Sequence, residues 1–183
     1  VCLDTQDVEE IVRTVQIIAP VYGGINLEDI SAPRCFEIER RLRDLLDIPV
    51  FHDDQHGTAI VVLAALTNAL KLVKKDLADA KIVLSGVGAA GTAIARLLVA
   101  KGAKHIIGFD KDGLVSESNK NEDPMRQWFV ANCAPGNFRG DVHEAVSGAD
   151  VFIGVSAPNV LSEADVKSMA KDSIVFALAN PDP

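Results

Sequence analysis

The segment Gly86-Val87-Gly88-Ala89-Ala90-Gly91 constrains the fold more than any other part of the sequence. It follows an apolar run at residues 81–85 and opens a run rich in Ala, Ile and Leu at residues 90–101. Glycines at this spacing also occur in plain turns, but between a strand and a helix they are typical of a dinucleotide-binding βαβ unit. The first glycine permits a tight turn, the second lets the backbone approach a pyrophosphate, and the third lets the helix pack close to the strand.

Strand and helix patterns alternate through the rest of the C-terminal part. We predict strands at residues 81–85, 105–110, 151–155 and 173–178, and helices at residues 58–73, 90–101, 122–133, 141–147 and 162–170. Continuous apolar strands that alternate with helices indicate a parallel sheet covered on both faces. The run at residues 58–73 is apolar almost all round, which is typical of a fully buried helix.

The first fifty residues are more acidic and richer in arginine. Asp7 and Glu10 resemble a helix-capping pair, and Pro33 opens a second amphipathic helix. Residues 49–51 are predicted to form a short strand that runs into a polar loop at residues 52–57. The predicted fold class is α/β, a Rossmann-like doubly wound parallel sheet preceded by part of a second α/β domain. The predicted domains are residues 1–51 and a dinucleotide-binding domain at residues 52–183.

Asp110 ends the strand that follows the glycine segment, 24 residues after Gly86. A carboxylate at this place accepts hydrogen bonds from the adenosine ribose and repels a 2′-phosphate, which favours NAD over NADP. Lys111 weakens that prediction, because a lysine can also bind a phosphate. The alternative is a plain turn with an ordinary aspartate at a strand end.

Four carboxylates, Glu28, Asp29, Asp53 and Asp54, lie where predicted strands run into loops. Bringing two acidic pairs together is costly unless a cation neutralises them, and hard oxygen ligands suit Mg²⁺ or Mn²⁺. The residues alone leave two other readings open. The acids could be solvated loop residues, or His52 and His56 could belong to a zinc site.

The composition excludes several classes of function. The net charge of −8, from 26 acidic against 18 basic residues, argues against nucleic acid as the main ligand. The 48% hydrophobic content excludes global disorder. No stretch approaches the roughly 20 apolar residues needed to span a bilayer, so we expect no membrane association. Three cysteines with no close pair indicate neither a disulfide framework nor a CxxC site, and we expect a cytoplasmic protein.

Several motifs together resemble the malic enzymes, in particular the shorter bacterial members. They are Asn26-Leu27-Glu28-Asp29-Ile30-Ser31, Phe51-His52-Asp53-Asp54-Gln55-His56-Gly57-Thr58-Ala59, the glycine segment and Ala179-Asn180-Pro181. The resemblance implies NAD- or NADP-dependent oxidative decarboxylation of L-malate to pyruvate and CO₂, by a homodimer in the full-length protein.

The resemblance also implies roles for particular residues. Glu28, Asp29 and Asp54 would be the ligands of Mg²⁺ or Mn²⁺, and Asp53 would assist the proton chemistry. The cofactor would be bound by residues 86–91, with Asp110 at the ribose and Asn180 at the nicotinamide and substrate. Residues 1–51 would then belong to the domain on the substrate and metal side.

One part of the family pattern is not matched. Family members carry a catalytic Tyr and a catalytic Lys well before the metal motif, and Tyr22 stands in a different context. We therefore expect a fragment that lacks that region and the C-terminal end, and that is inactive by itself. Two alternatives are kept: another Rossmann-type dehydrogenase, similar to the amino-acid dehydrogenases, and a non-catalytic dinucleotide-binding module.

Overall fold

Two units of different architecture make up the chain, Val1–Gly57 (the N-terminal unit) and Thr58–Pro183 (the C-terminal unit). They are described in a computed structural model, which covers residues 1–119, 123–133 and 135–180. Both units mix helices with parallel strands, as the sequence predicts.

The N-terminal unit contains two helices, α1 (Val8–Ile18) and α2 (Arg34–Leu45). The Asp7 carboxylate accepts a hydrogen bond from the Glu10 backbone N–H at 3.0 Å, so the predicted cap is confirmed. Each helix buries one apolar face, as its amphipathic pattern predicts. The residues that form this core are Ile11, Val12, Val15, Leu27, Ile38 and Leu42.

Two short strands of this unit, β1 (Ile25–Leu27) and β2 (Val50–His52), pair in parallel. Their register sets Ile25 opposite Val50 and Leu27 opposite His52. The chain then turns at Asp53–Gly57 in a π-helical turn. The prediction of an irregular loop at residues 52–57 is therefore wrong, because the strand takes His52 and the helical turn takes the other five residues.

A five-stranded sheet is the centre of the C-terminal unit. Its strands are β3 (Lys81–Ser85), β4 (His105–Asp110), β5 (Gly113–Leu114), β6 (Val151–Gly154) and β7 (Ile174–Ala177), in the order β5-β4-β3-β6-β7. All neighbours are parallel except β4 and β5, which form a tight antiparallel hairpin that the sequence analysis missed. The four longer strands lie within a residue or two of their predicted bounds.

Helices cover both faces of this sheet, which confirms the predicted doubly wound architecture. They are α3 (Thr58–Val73), α4 (Ala89–Ala100), α5 (Pro124–Asn132), α6 (Val142–Val146) and α7 (Glu163–Ser168). Alternate residues of β3 enter opposite cores: Ile82 and Leu84 pack in the cluster with α3, α4 and α5, and Val83 packs in the cluster with α6. Glu122, the first residue of the helix predicted at residues 122–133, lies outside the described residues.

Helix α3 departs from the prediction of a fully buried helix. Ala59, Val62, Leu66 and Leu70 face the core, while the opposite face is open and Leu72 is 83% exposed. Counted from Asp53, the helix Asp53–Val73 is long and apolar enough to cross a membrane, by length and composition alone. The expectation that no stretch approaches roughly 20 apolar residues is therefore wrong for this helix, because the π-helical turn at Asp53–Gly57 lengthens it. A core helix passes the same test, and α3 packs one of its faces in the core of the C-terminal unit.

Candidate functional site

The turn from β3 to α4 can be made only by a glycine at its first position. Gly86 has a φ of +107°, a backbone conformation that side chains of L-residues rarely adopt. A Cβ at Gly86 would also lie 2.9 Å from the carbonyl oxygen of Val155, which follows β6. The turn therefore crosses closely over the end of the neighbouring strand.

The other two glycines of the segment have opposite surroundings. A Cβ at Gly91 would lie 1.8 Å from the carbonyl oxygen of Gly86, so α4 rests directly on the turn. A Cβ at Gly88 would meet nothing within 4 Å, and Gly88 is exposed at the N-terminus of α4. The first-turn N–H groups of a helix have no partner within the helix and attract anions. The segment thus leaves an open, side-chain-free backbone at a helix N-terminus, which fits a pyrophosphate.

The glycine turn lies at the point where the strand order of the sheet reverses. After β3 the chain builds outward to β4 on one side and later to β6 on the other, and ligands of open α/β sheets bind at such a switch point. The hydroxyls of Ser85 and Ser156 lie 2.9 Å apart across this crevice. Ser156 was missed by the sequence analysis, although its place after a central strand was a usable signal.

Asp110 lies at the end of β4, next to the β3–α4 turn, as predicted for a ribose-binding residue. Its Oδ1 accepts a hydrogen bond from the Asp112 backbone N–H at 2.9 Å, and its Oδ2 accepts one from Arg126 Nη1 in an ion pair. Arg126 is only 7% exposed. The sequence analysis missed Arg126, because nothing in the local pattern distinguishes it from a solvated arginine on a helix.

Asn180 is exposed and follows β7, whose neighbour is β6. The backbone of Leu178 still bonds to the sheet, through its N–H and the carbonyl of Gly154 at 2.8 Å. Asn180 therefore lies just beyond the carboxyl edge of the sheet, the edge at which β3 and β6 also end. Pro181, the last residue of the quoted motif, lies outside the described residues.

The parallel register of β1 and β2 brings two of the predicted acidic residues together in the N-terminal unit. Asp29 and Asp54 follow the paired strands, and the Asp29 backbone N–H donates to Asp54 Oδ2 at 2.8 Å. Glu28 and Asp29 also line a cavity of about 610 Å³ beside β1. Within residues 1–119, 123–133 and 135–180, however, no three histidine, cysteine, aspartate or glutamate side chains are arranged to hold a metal ion.

The turn that carries Asp53 and Asp54 is fixed from α2 by Glu39. The buried Glu39 carboxylate accepts a hydrogen bond from Gln55 Nε2 at 3.0 Å and lies 2.7 Å from His56 Nε2. π-helical turns are rare and occur frequently at functional sites. Glu39 had no signal in the sequence, where it is one charge among several on an amphipathic helix.

His52 precedes the two aspartates and is 1% exposed. Neither of its ring nitrogens has a hydrogen-bond partner in the part of the chain that the structure describes. Such an unpaired buried ring is unusual, since buried polar groups are nearly always bonded.

The matching family models and the proteins more than 40% identical to this chain belong to one family. Residues 55–183 match the family described as "Malic enzyme, NAD binding domain", and residues 4–43 match "Malic enzyme, N-terminal domain". The chain is 58% identical over its full length to an NAD-dependent malic enzyme of Geobacillus stearothermophilus, of which it spans 38%. It is 49% identical, over 99% of its length, to an NADP-dependent malic enzyme of Rhizobium meliloti, of which it spans 24%.

A solved structure, the NAD-dependent malic enzyme of Thermotoga maritima, superimposes with a TM-score of 0.93 at 43% identity. That superposition covers 100% of this chain and 49% of the Thermotoga chain. The chain thus spans less than half the length of each of these three proteins.

Proposed function

Because this chain belongs to the malic enzyme family, we propose that it is part of an enzyme that oxidatively decarboxylates L-malate to pyruvate and CO₂ with NAD or NADP. The observation that carries the proposal is the presence of two features in the same chain. One is the open glycine turn at the switch point of the sheet. The other is the Asp29–Asp54 contact at two parallel strand ends.

The glycine turn fits the dinucleotide. Its backbone N–H groups would bind the pyrophosphate over Gly88, and Asp110 would accept a hydrogen bond from the adenosine ribose. Asn180, at the same edge of the sheet, would orient the nicotinamide end against the substrate. When bound, the dinucleotide would supply the hydride acceptor for C2 of malate, and these residues would hold its nicotinamide against the substrate.

We propose NAD as the preferred cofactor. The hydrogen-bond acceptor that Asp110 offers to a ribose hydroxyl supports this preference, as does the high identity to an NAD-dependent relative. Relatives of both cofactor types lie close to this chain.

The carboxylates fit a divalent cation by their chemistry alone, because they offer only hard oxygen ligands. Within the described residues they are not arranged as a complete ligand set. We propose that Glu28, Asp29 and Asp54 hold Mg²⁺ or Mn²⁺, and that Asp53 assists the proton transfers. When bound, such a cation supplies Lewis-acid polarisation and a template for the α-hydroxy acid. Glu39 bonds to Gln55 and His56 of the turn that bears Asp54, so it would position this ligand.

The test is Asp54→Asn in the full-length protein, with Asp44→Asn as the matched control. Asp44 is an exposed carboxylate of α2 in the same unit, paired with Arg40 at 3.6 Å. We expect Asp54→Asn to lower Mn²⁺ affinity and metal-dependent turnover by at least 100-fold, since an amide replaces a charged ligand on a hard cation. NAD affinity should change less than threefold, and Asp44→Asn should change none of these quantities.

Near-normal turnover of Asp54→Asn with Mn²⁺ would contradict the ligand assignment. A second measurement addresses residues 1–183 alone, which should bind a dinucleotide but not decarboxylate malate. Turnover by them within tenfold of the full-length enzyme would contradict that part of the proposal. Homodimer formation and a cytoplasmic location stay predictions.

A further inference from the structure

We infer that Arg126 sets the cofactor selectivity of this chain by neutralising Asp110, so that a 2′-phosphate is accepted where Asp110 alone would repel it. The inference rests on the proposed dinucleotide-binding function and concerns one end of that site. It assigns a specificity-determining role to a helix residue outside the glycine segment and outside β4.

The geometry holds the Arg126 guanidinium in place from two sides. Its Nη1 donates to Asp110 Oδ2, and its Nε donates to the backbone carbonyl of Asn119 at 2.9 Å. Arg126 lies on α5, and the side chain is almost fully buried. A guanidinium has five N–H donors, and within the described residues two of them have the partners named here, so others are left for an incoming oxyanion.

The local charge decides which cofactor is favoured. A 2′-phosphate carries about −1.5 to −2 charges near pH 7, and an unpaired carboxylate at the ribose would repel it. The buried ion pair makes Asp110 and Arg126 together neutral. The two residues that follow, Lys111 and Asp112, are exposed and of opposite sign, so they add little net charge to the turn.

The ion pair does not prevent Asp110 from binding a ribose. Each carboxylate oxygen has two lone pairs, and each accepts one hydrogen bond in the contacts described above. Asp110 can therefore still accept a bond from a ribose hydroxyl while Arg126 cancels its charge. The site combines the acceptor that suits NAD with the cation that suits NADP, and we expect the two affinities to lie within about tenfold of each other.

The experiment measures the dissociation constants of NAD, NADP, ADP-ribose and 2′-phospho-ADP-ribose by calorimetry. The proteins are the chain itself and its variants Arg126→Met, Arg126→Lys, Asp110→Asn and the double variant Asp110→Asn/Arg126→Met. We expect Arg126→Met to weaken the two 2′-phosphorylated ligands about 10- to 100-fold and the other two less than threefold. Arg126→Lys keeps the positive charge, so its ratio of NADP affinity to NAD affinity should stay near that of the original chain.

The double variant separates charge from structure. It removes the repelling carboxylate together with the arginine, so it should regain at least tenfold in NADP affinity over Arg126→Met. Asp110→Asn alone leaves the Arg126 charge uncancelled and should bind NADP more tightly than the original chain. This variant preserves the side-chain shape, so it tests the inference even where Arg126→Met lowers the melting temperature.

Equal losses for phosphorylated and unphosphorylated ligands in Arg126→Met, with no recovery in the double variant, would show that Arg126 is only structural and overturn the inference. So would an Asp110→Asn variant whose NADP affinity falls together with its NAD affinity. Failure of the original chain to bind any of the four ligands would instead contradict the proposed function, and the inference with it.

Discussion

Replacing Gly91 by alanine separates the two requirements of the glycine turn, helix packing and cofactor approach. By helix propensity alone the change should stabilise α4 by about 1 kcal/mol, since alanine is the best helix former and glycine one of the worst. The structure predicts the opposite sign. The new Cβ would lie 1.8 Å from the Gly86 carbonyl oxygen, and real Cβ contacts are almost never under 3.0 Å.

The size of the effect follows from what has to move. The helix and the turn must separate by about 1.2 Å, and the atom in the way is backbone rather than a flexible side chain. Overpacking of this kind costs roughly 1–3 kcal/mol and occasionally more. Because the clash is with backbone, we expect a cost at the upper end of this range, about 3 kcal/mol. After subtracting the gain in propensity of about 1 kcal/mol, the net loss is about 2 kcal/mol, which lowers the melting temperature of a domain of this size by about 4–8 °C.

Gly88→Ala is the matched control, because its Cβ would enter open space. It replaces the N-cap of α4, for which alanine is less suitable than glycine, so a loss of about 0.5–1 kcal/mol is expected. Its NAD affinity should nevertheless fall at least tenfold, because the methyl group occupies the proposed pyrophosphate position. The assays are thermal unfolding by circular dichroism and NAD binding by calorimetry, for both variants and the original chain.

An equal or higher melting temperature for Gly91→Ala would refute the reasoning that backbone contact fixes this glycine. An NAD affinity of Gly88→Ala within twofold of the original would show that the pyrophosphate does not approach Gly88.

Three further predictions concern contacts elsewhere in the chain. Burial raises the pKa of Asp150, but hydrogen bonds from the Lys75 ammonium and a backbone N–H outweigh it and leave this pKa below its ordinary value. The ion pair therefore stabilises the fold fully above about pH 4, and this stabilisation is lost as pH falls through the lowered pKa. Lys75→Met should lower the free energy of unfolding, measured in urea, by about 1 kcal/mol at pH 7 and by less at pH 3. The hydrogen bond to Asp165 at 2.9 Å raises the pKa of His143. The NMR titration midpoint of His143 should therefore lie above 6.5 and should fall in Asp165→Asn. The stabilisation of the fold by this pair is present below pH 6.5 and is lost as pH rises through that midpoint. Glu39→Ala should lower the free energy of unfolding in urea by about 1–3 kcal/mol, since it leaves side-chain donors of the π-helical turn unpaired. An unchanged urea midpoint would show that Glu39 does not stabilise this turn.

The sequence by itself determined the features that depend on neighbouring residues. The strand β3, the glycine turn and α4 follow from local rules, because short apolar runs, turn geometry and helix formation act over a few residues. The cap of α1 by Asp7 is equally local. The same rules predicted the parallel sheet with helices on both faces, since strands joined through helices pair in parallel.

Only the tertiary structure decided which distant side chains meet. Arg126 reaches Asp110 from a helix beyond β5, and Glu39 reaches Gln55 from another helix. Such partners are selected by long-range packing, and no local periodicity records them. The open face of α3 has the same origin: an apolar sequence shows that a surface can be buried, but which face meets the core depends on the elements packed against it.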